Sequence, residues 1–166
     1  MKSYCLITLA ACLVLSACNK ENGNPHSIEL TWTECASTKA GGTKGGTSAD
    51  TPAQLILEYT ESGLAVTLKN AEMNCAINVD GLSLDLSQEG NIINYQVVQS
   101  VTANCTCQIE RITSTVTGLE YGKEYVLNYS IKYVPSLKPI KFRFMKGLKM
   151  RLNVADYIDA MHTMHT

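Results

Sequence analysis

A thiol at the end of an apolar leader is the first group in this chain with a defined chemistry. Lys2 precedes an apolar run from Tyr4 to Leu15, and Leu15-Ser16-Ala17-Cys18 closes it. Small residues at Ser16 and Ala17 let the bond before Cys18 enter a peptidase, and the Cys18 thiol is then the group a bacterial lipid transferase modifies. The run is too short to cross a hydrocarbon layer of ~30 Å, which takes about 20 residues, and its flanks are those of a cleaved signal. Residues 1–17 are therefore expected to be a signal peptide and Cys18 the lipidation site. Two or more acyl chains would hold the product firmly on a bilayer, where one holds it only marginally.

Of the seven cysteines, Cys5 and Cys12 leave with the leader and Cys18 takes the lipid. Cys35, Cys75, Cys105 and Cys107 remain, an even set that points to two disulfides in an oxidising compartment. On a strand Cys105 and Cys107 face the same side, so a bridge between them would be strained and each is expected to reach another segment. Cys35 and Cys75 are the expected partners, with the pairing open. Four thiolates could also hold zinc, but no CxxC pair is present, and no metal or other cofactor is expected.

Other reactive side chains do not converge. His26 lies near the N-terminus, while His162 and His165 stand in the C-terminal tail, three apart but on a terminus prone to fray. No Ser/His/Asp or Cys/His arrangement follows from these positions. Asp80 and Asp85 fall in turn or outward positions rather than across a cleft as a glycosidase requires. Gly41-Gly42-Thr43-Lys44-Gly45-Gly46-Thr47-Ser48 lacks the contiguous Gly-Lys-Ser/Thr of a phosphate loop. The expectation is a protein without enzymatic activity.

One charge pattern stands out. From Lys138 to Arg151 the chain carries Lys138, Lys141, Arg143, Lys146, Lys149 and Arg151 and no acidic residue. With Ile140, Phe142, Phe144, Leu148, Met150 and Leu152 turned inward, Lys141, Arg143, Lys149 and Arg151 would share an outward face. Such a face suits a sulfated or uronic glycan, or a lipid phosphate. A solvated edge guarded by lysines against strand addition gives the same pattern. The net charge of −1 argues against nucleic acid as a partner.

The elements that must position these groups read as strands, because apolar residues alternate at period two. Ile28, Leu30 and Trp32 share one face. Leu55, Leu57 and Tyr59 lead through Glu61-Ser62-Gly63 into Leu64, Val66 and Leu68 as a hairpin. Leu82, Leu84 and Leu86 precede the turn Gln88-Glu89-Gly90-Asn91 and then Ile93, Tyr95 and Val97. Strands follow over 105–117, 125–133 and 140–152, the last broken near Gly147, and 154–161 reads as a short helix. Tyr125, Leu127, Tyr129, Ile131 and Tyr133 share a face that packing explains better than sugar stacking. Residues 18–27 form a polar tether behind the lipidated cysteine, 28–153 one β-domain, 36–52 a mobile Gly/Thr loop within it, and 154–166 a tail.

Seven or eight short strands fit an antiparallel immunoglobulin-like β-sandwich, with a calycin-like up-and-down barrel as the alternative. Leu119-x-x-Gly122-x-x-Tyr125 resembles the tyrosine corner of fibronectin type III and immunoglobulin-like domains, with Tyr121 where those carry Pro. Asn74-Cys75, Asn104-Cys105-Thr106-Cys107 and Gly118-Leu119-Glu120-Tyr121-Gly122-Lys123-Glu124-Tyr125, together with the lipobox, resemble the small secreted lipoproteins of Bacteroidetes-type bacteria. That resemblance spans roughly residues 18–134; it implies a disulfide-tied β-domain and transfers no catalytic residue. Asn19-Lys20-Glu21 resembles part of the lysine-acidic signal that sends such lipoproteins to the outer surface. The expectation is an outer-membrane lipoprotein, surface display favoured over a periplasmic aspect. It would act as a binding or structural module whose partners are the bilayer and an anionic glycan or envelope protein. A barrel would instead suit a small-ligand binder or an enzyme inhibitor, with the 36–52 loop protruding.

Overall fold

A computed structural model describes residues 26–35, 51–77, 81–100, 102–131 and 136–158. Cys18 with the leader, most of the tether, residues 36–50, Asp80, Tyr133, His162 and His165 lie outside them. The strands are β1 (Ser27–Trp32), β2 (Gln54–Thr60), β3 (Gly63–Asn74), β4 (Ser83–Glu89), β5 (Ile92–Val98), β6 (Thr106–Val116), β7 (Glu124–Ile131), β8 (Ile140–Arg143) and β9 (Lys149–Asn153). A short helix, α1 (Val154–Tyr157), follows directly on β9.

The strands form two sheets, one ordered β1-β6-β3-β2-β9 and the other β4-β5-β7-β8. Each sheet keeps two edge strands, so the fold is a sandwich and the barrel alternative falls. Alternation drives this arrangement. Leu55, Leu57, Leu64, Val66 and Leu68 of one sheet and Ile93, Tyr95, Val97, Leu127 and Tyr129 of the other are all buried in one core. Each such side chain withdrawn from water contributes about 1.5–3 kcal/mol, which two sheets packed face to face can collect and one cannot.

Three features were not legible as a simple alternation. First, β3 and β6 exchange faces in mid-strand. Leu64, Val66 and Leu68 point inward, then Ala71 and Met73; opposite them Val116, Ser114 and Ile112 give way to Ile109 and Cys107. The switch falls at Asn70, whose φ of 53° lies in the left-handed region that asparagine tolerates. Second, β5 pairs with β7 in parallel while the other strand pairs run antiparallel. Parallel neighbours need a crossover, and here β6 in the facing sheet supplies it. Third, the expected strand over 140–152 is two strands in different sheets, since the chain leaves the four-stranded layer after Arg143 and joins the five-stranded one at Lys149.

The tyrosine corner is present. The Glu120 N–H donates to the Tyr125 hydroxyl at 2.8 Å, and Tyr125 itself is buried beside Phe142. Two disulfides staple the opposite end, Cys35–Cys107 and Cys75–Cys105, each with a Cα separation of 5.7 Å. Because β6 lies between β1 and β3, Cys107 reaches the chain leaving β1 while Cys105 reaches the chain leaving β3.

Candidate binding cleft on the four-stranded sheet

Strands β4, β5 and β7 each turn an apolar side inward, which forces their alternate residues onto the outer face. The parallel pairing then lines those residues up across the sheet. Ser87 stands opposite Asn94, and Asn94 opposite Asn128; one step along, Asp85 stands opposite Gln96, and Gln96 opposite Ser130. Every one of these six side chains is polar.

The first row is a hydrogen-bonded relay. The Asn128 amide donates to the Asn94 carbonyl oxygen at 2.9 Å, and the Asn94 amide donates to Ser87 Oγ at 3.4 Å. In the second row the Asp85 carboxylate, the Gln96 amide and the Ser130 hydroxyl have no hydrogen-bond partner among the described residues. Both rows open into a cleft of about 470 Å³, whose wall is completed by Ser136, Leu137 and Pro139. The wall exists because β8 pairs with β7 only as far as Leu127 opposite Ile140. Before that point the chain stands off the sheet, held by the Leu137 N–H donating to the Tyr129 carbonyl at 3.3 Å.

This cleft can donate and accept hydrogen bonds from fixed positions. Among the described residues that line it, Asp85 is the one carboxylate, and none is a histidine or cysteine. No group of three metal-ligating side chains occurs among the described residues. A ligand rich in hydroxyls matches the alternating amides, hydroxyls and carboxylate.

The basic residues expected to form one face are divided. Lys141 and Arg143 lie on β8, on the outer face of the four-stranded sheet, whereas Lys149 and Arg151 lie on β9, on the outer face of the other sheet. The physical reason is the turn at Met145–Leu148, which carries the chain between layers and so separates residues that a single strand would have aligned. Arg143 pairs with Glu124 at 2.7 Å and Lys149 with Glu58 at 3.0 Å. Both pairs are exposed, so each contributes little to stability. Lys141 has no such partner among the described residues; it lies on the outer face two residues beyond Pro139, opposite Val126 and past the residues that line the cleft.

Other candidates are accounted for structurally. Tyr125 and Tyr129 are core residues, as packing predicts. His26 is exposed, and its carbonyl, not its imidazole, accepts from Thr117 N–H at 2.8 Å. Asp85 lies outward on β4 in the cleft. The cleft itself escaped the sequence because its rows depend on β5 lying beside β7. The only available signal was the shared period, Asn94 with Gln96 and Asn128 with Ser130. Comparison of the chain with protein-family models, curated proteins and solved structures finds no match.

Proposed function

We propose that this chain is a lipid-anchored bacterial envelope protein that acts as a binding module rather than an enzyme. Its cleft on the four-stranded sheet would hold the hydroxyls of a glycan and place the glycan's acid group toward Lys141. The observation that carries this reading is the pair of polar rows, one relayed from Asn128 to Ser87, the other left with Asp85, Gln96 and Ser130 unpartnered above a cleft of about 470 Å³.

Four further observations support it. The lipobox ending in Cys18 supplies the anchor, and two disulfides suit an oxidising compartment outside the cytoplasm. His26 meets the domain at Thr117, beside the corner from which β7 starts. Ser130 lies six residues along β7 from Glu124, about 20 Å at the rise of a strand, so the cleft would stand away from the anchored end. Asn19-Lys20-Glu21 favours display on the outer surface of the outer membrane over the periplasmic side.

Calorimetric titration of the chain with uronic-acid oligosaccharides and with their neutral counterparts tests the assignment. Asn128→Ala, which breaks the relay, is expected to weaken both about tenfold. Lys141→Gln should weaken the acidic set alone, in a salt-dependent manner, and Lys149→Gln with Arg151→Gln should change neither. Equal loss from the β9 pair would overturn the assignment. Protease shaving of intact cells tests the display: protection of the domain until the outer membrane is opened would reverse that part of the proposal.

A further inference from the structure

A second cavity lies between the sheets, and Tyr129, a buried residue on its wall, makes no side-chain hydrogen bond among the described residues. Beyond Leu127 the ladder between β7 and β8 stops, so the space between the sheets is closed there by Leu137 and by the chain around α1 rather than by a strand. That closure is tied by Lys138 N–H donating to the Tyr157 carbonyl at 2.7 Å and by an isolated bridge between Leu137 and Ile158. Beneath it is a cavity of about 170 Å³ lined by Leu68, Ala71, Ile131, Leu137, Val154 and Ile158, with Glu72, which is exposed, and Ser130 also on its wall.

Tyr129 also lines this cavity and is only 3% exposed. Among the described residues three tyrosines are fully or almost fully buried in this core, and two have their hydroxyls satisfied: Tyr95 by Ser114 Oγ at 2.7 Å, and Tyr125 by the Glu120 N–H at 2.8 Å. Tyr129 stacks on Tyr95 at 5.1 Å between centroids, yet its hydroxyl has no hydrogen bond among the described residues. Buried hydroxyls in folded proteins nearly always find a partner. Burial also pushes the Tyr129 phenol well above its usual pKa, so it remains a neutral O–H donor.

We infer that this cavity is a binding site for a small uncharged apolar molecule bearing one hydrogen-bond acceptor, a carbonyl or ether oxygen received by the Tyr129 hydroxyl. The size agrees, since an apolar cavity of roughly 150 Å³ accommodates benzene. Ala71 keeps the space open, and a larger side chain there would fill it. The cavity lies on the inner side of β7 and the glycan cleft on the outer side, and the two share Tyr129, Ser130 and Leu137 in their walls.

The probe is acetophenone, compared with α-methylstyrene, which has nearly the same shape but no carbonyl. Amide chemical-shift titrations of the full chain should show acetophenone binding about five- to tenfold more tightly, as one neutral hydrogen bond provides, with shifts centred on Leu68, Tyr129 and Leu137. In Tyr129→Phe the two probes should bind alike, and in Ala71→Leu neither should bind while the circular dichroism spectrum stays that of the wild type. Absence of acetophenone binding to the wild type would mean a hydration site only and would overturn the inference. A preference for acetophenone that survives Tyr129→Phe would do so as well, and so would unchanged binding of both probes in a folded Ala71→Leu.

Discussion

Removing the disulfides one at a time should separate two costs that a sandwich of this kind combines. Cys75 and Cys105 are 30 residues apart, and releasing that loop in the unfolded chain lowers stability by about 3.6 kcal/mol on the loop-entropy account. Cys35 and Cys107 are 72 apart. With the inner bridge intact the chain already takes a shortcut, leaving an effective loop of roughly 42 residues and a cost of about 4 kcal/mol. The entropic terms are thus nearly equal, but the packing terms are not. Cys35 and Cys107 are each 7% exposed and belong to the core, while Cys105 is on the surface. Alanine at the outer pair therefore adds a cavity of about 1 kcal/mol that the inner pair does not. Urea unfolding of Cys75→Ala/Cys105→Ala and of Cys35→Ala/Cys107→Ala, followed by Trp32 fluorescence, measures both. Against a typical total of about 5–15 kcal/mol, losing both bridges would leave the domain marginal or unfolded, so it should not persist in a reducing compartment. A cost below about 1 kcal/mol for the inner pair would refute the loop argument. A smaller cost for the outer pair than for the inner would refute the packing argument.

Three further outcomes are expected. Tyr125→Phe leaves the Glu120 N–H without its acceptor and should cost about 1–2 kcal/mol in the same urea assay, whereas Tyr121→Phe at an exposed site should fall within about 0.5 kcal/mol. Burial, partly offset by the hydrogen bond to Ser114, raises Tyr95 from 10.0 to about 12. The folded state thus disfavours the phenolate, so this contribution is fully present below pH 10 and is lost as pH rises toward 12, removing up to about 3 kcal/mol. Tyr129 acts in the same direction, and denaturation at stepped alkaline pH with absorbance at 295 nm should show stability and tyrosine ionisation changing together. Gly63→Ala would drive a methyl into the Val116 carbonyl at a backbone φ of 149°, and a loss of about 3 kcal/mol or more in thermal unfolding is expected; a neutral result would mean that the hairpin can shift away from β6.

What the sequence determined by itself is whatever depends on near neighbours. Period-two alternation marks most of the strands, because a residue's face on a strand follows from its parity. The cysteine count and the improbability of bridging Cys105 to Cys107 selected Cys35 and Cys75 as partners, and seven residues from Leu119 to Tyr125 announced the corner. Tertiary structure decided what depends on which strand lies beside which. The assignment of Cys107 to Cys35 follows from β6 lying between β1 and β3, and the separation of Lys141 and Arg143 from Lys149 and Arg151 follows from a turn that changes layers. The face switch at Asn70 shows in the sequence only as a change of parity, from Leu64, Val66 and Leu68 to Ala71 and Met73; that β6 changes parity opposite it follows from the pairing of the two strands. Asn94 and Asn128 sit 34 residues apart, on strands with the facing sheet's β6 between them in the chain. Their hydrogen bond, and with it the cleft, comes from a parallel pairing that is long-range in sequence and set by the packing of two sheets.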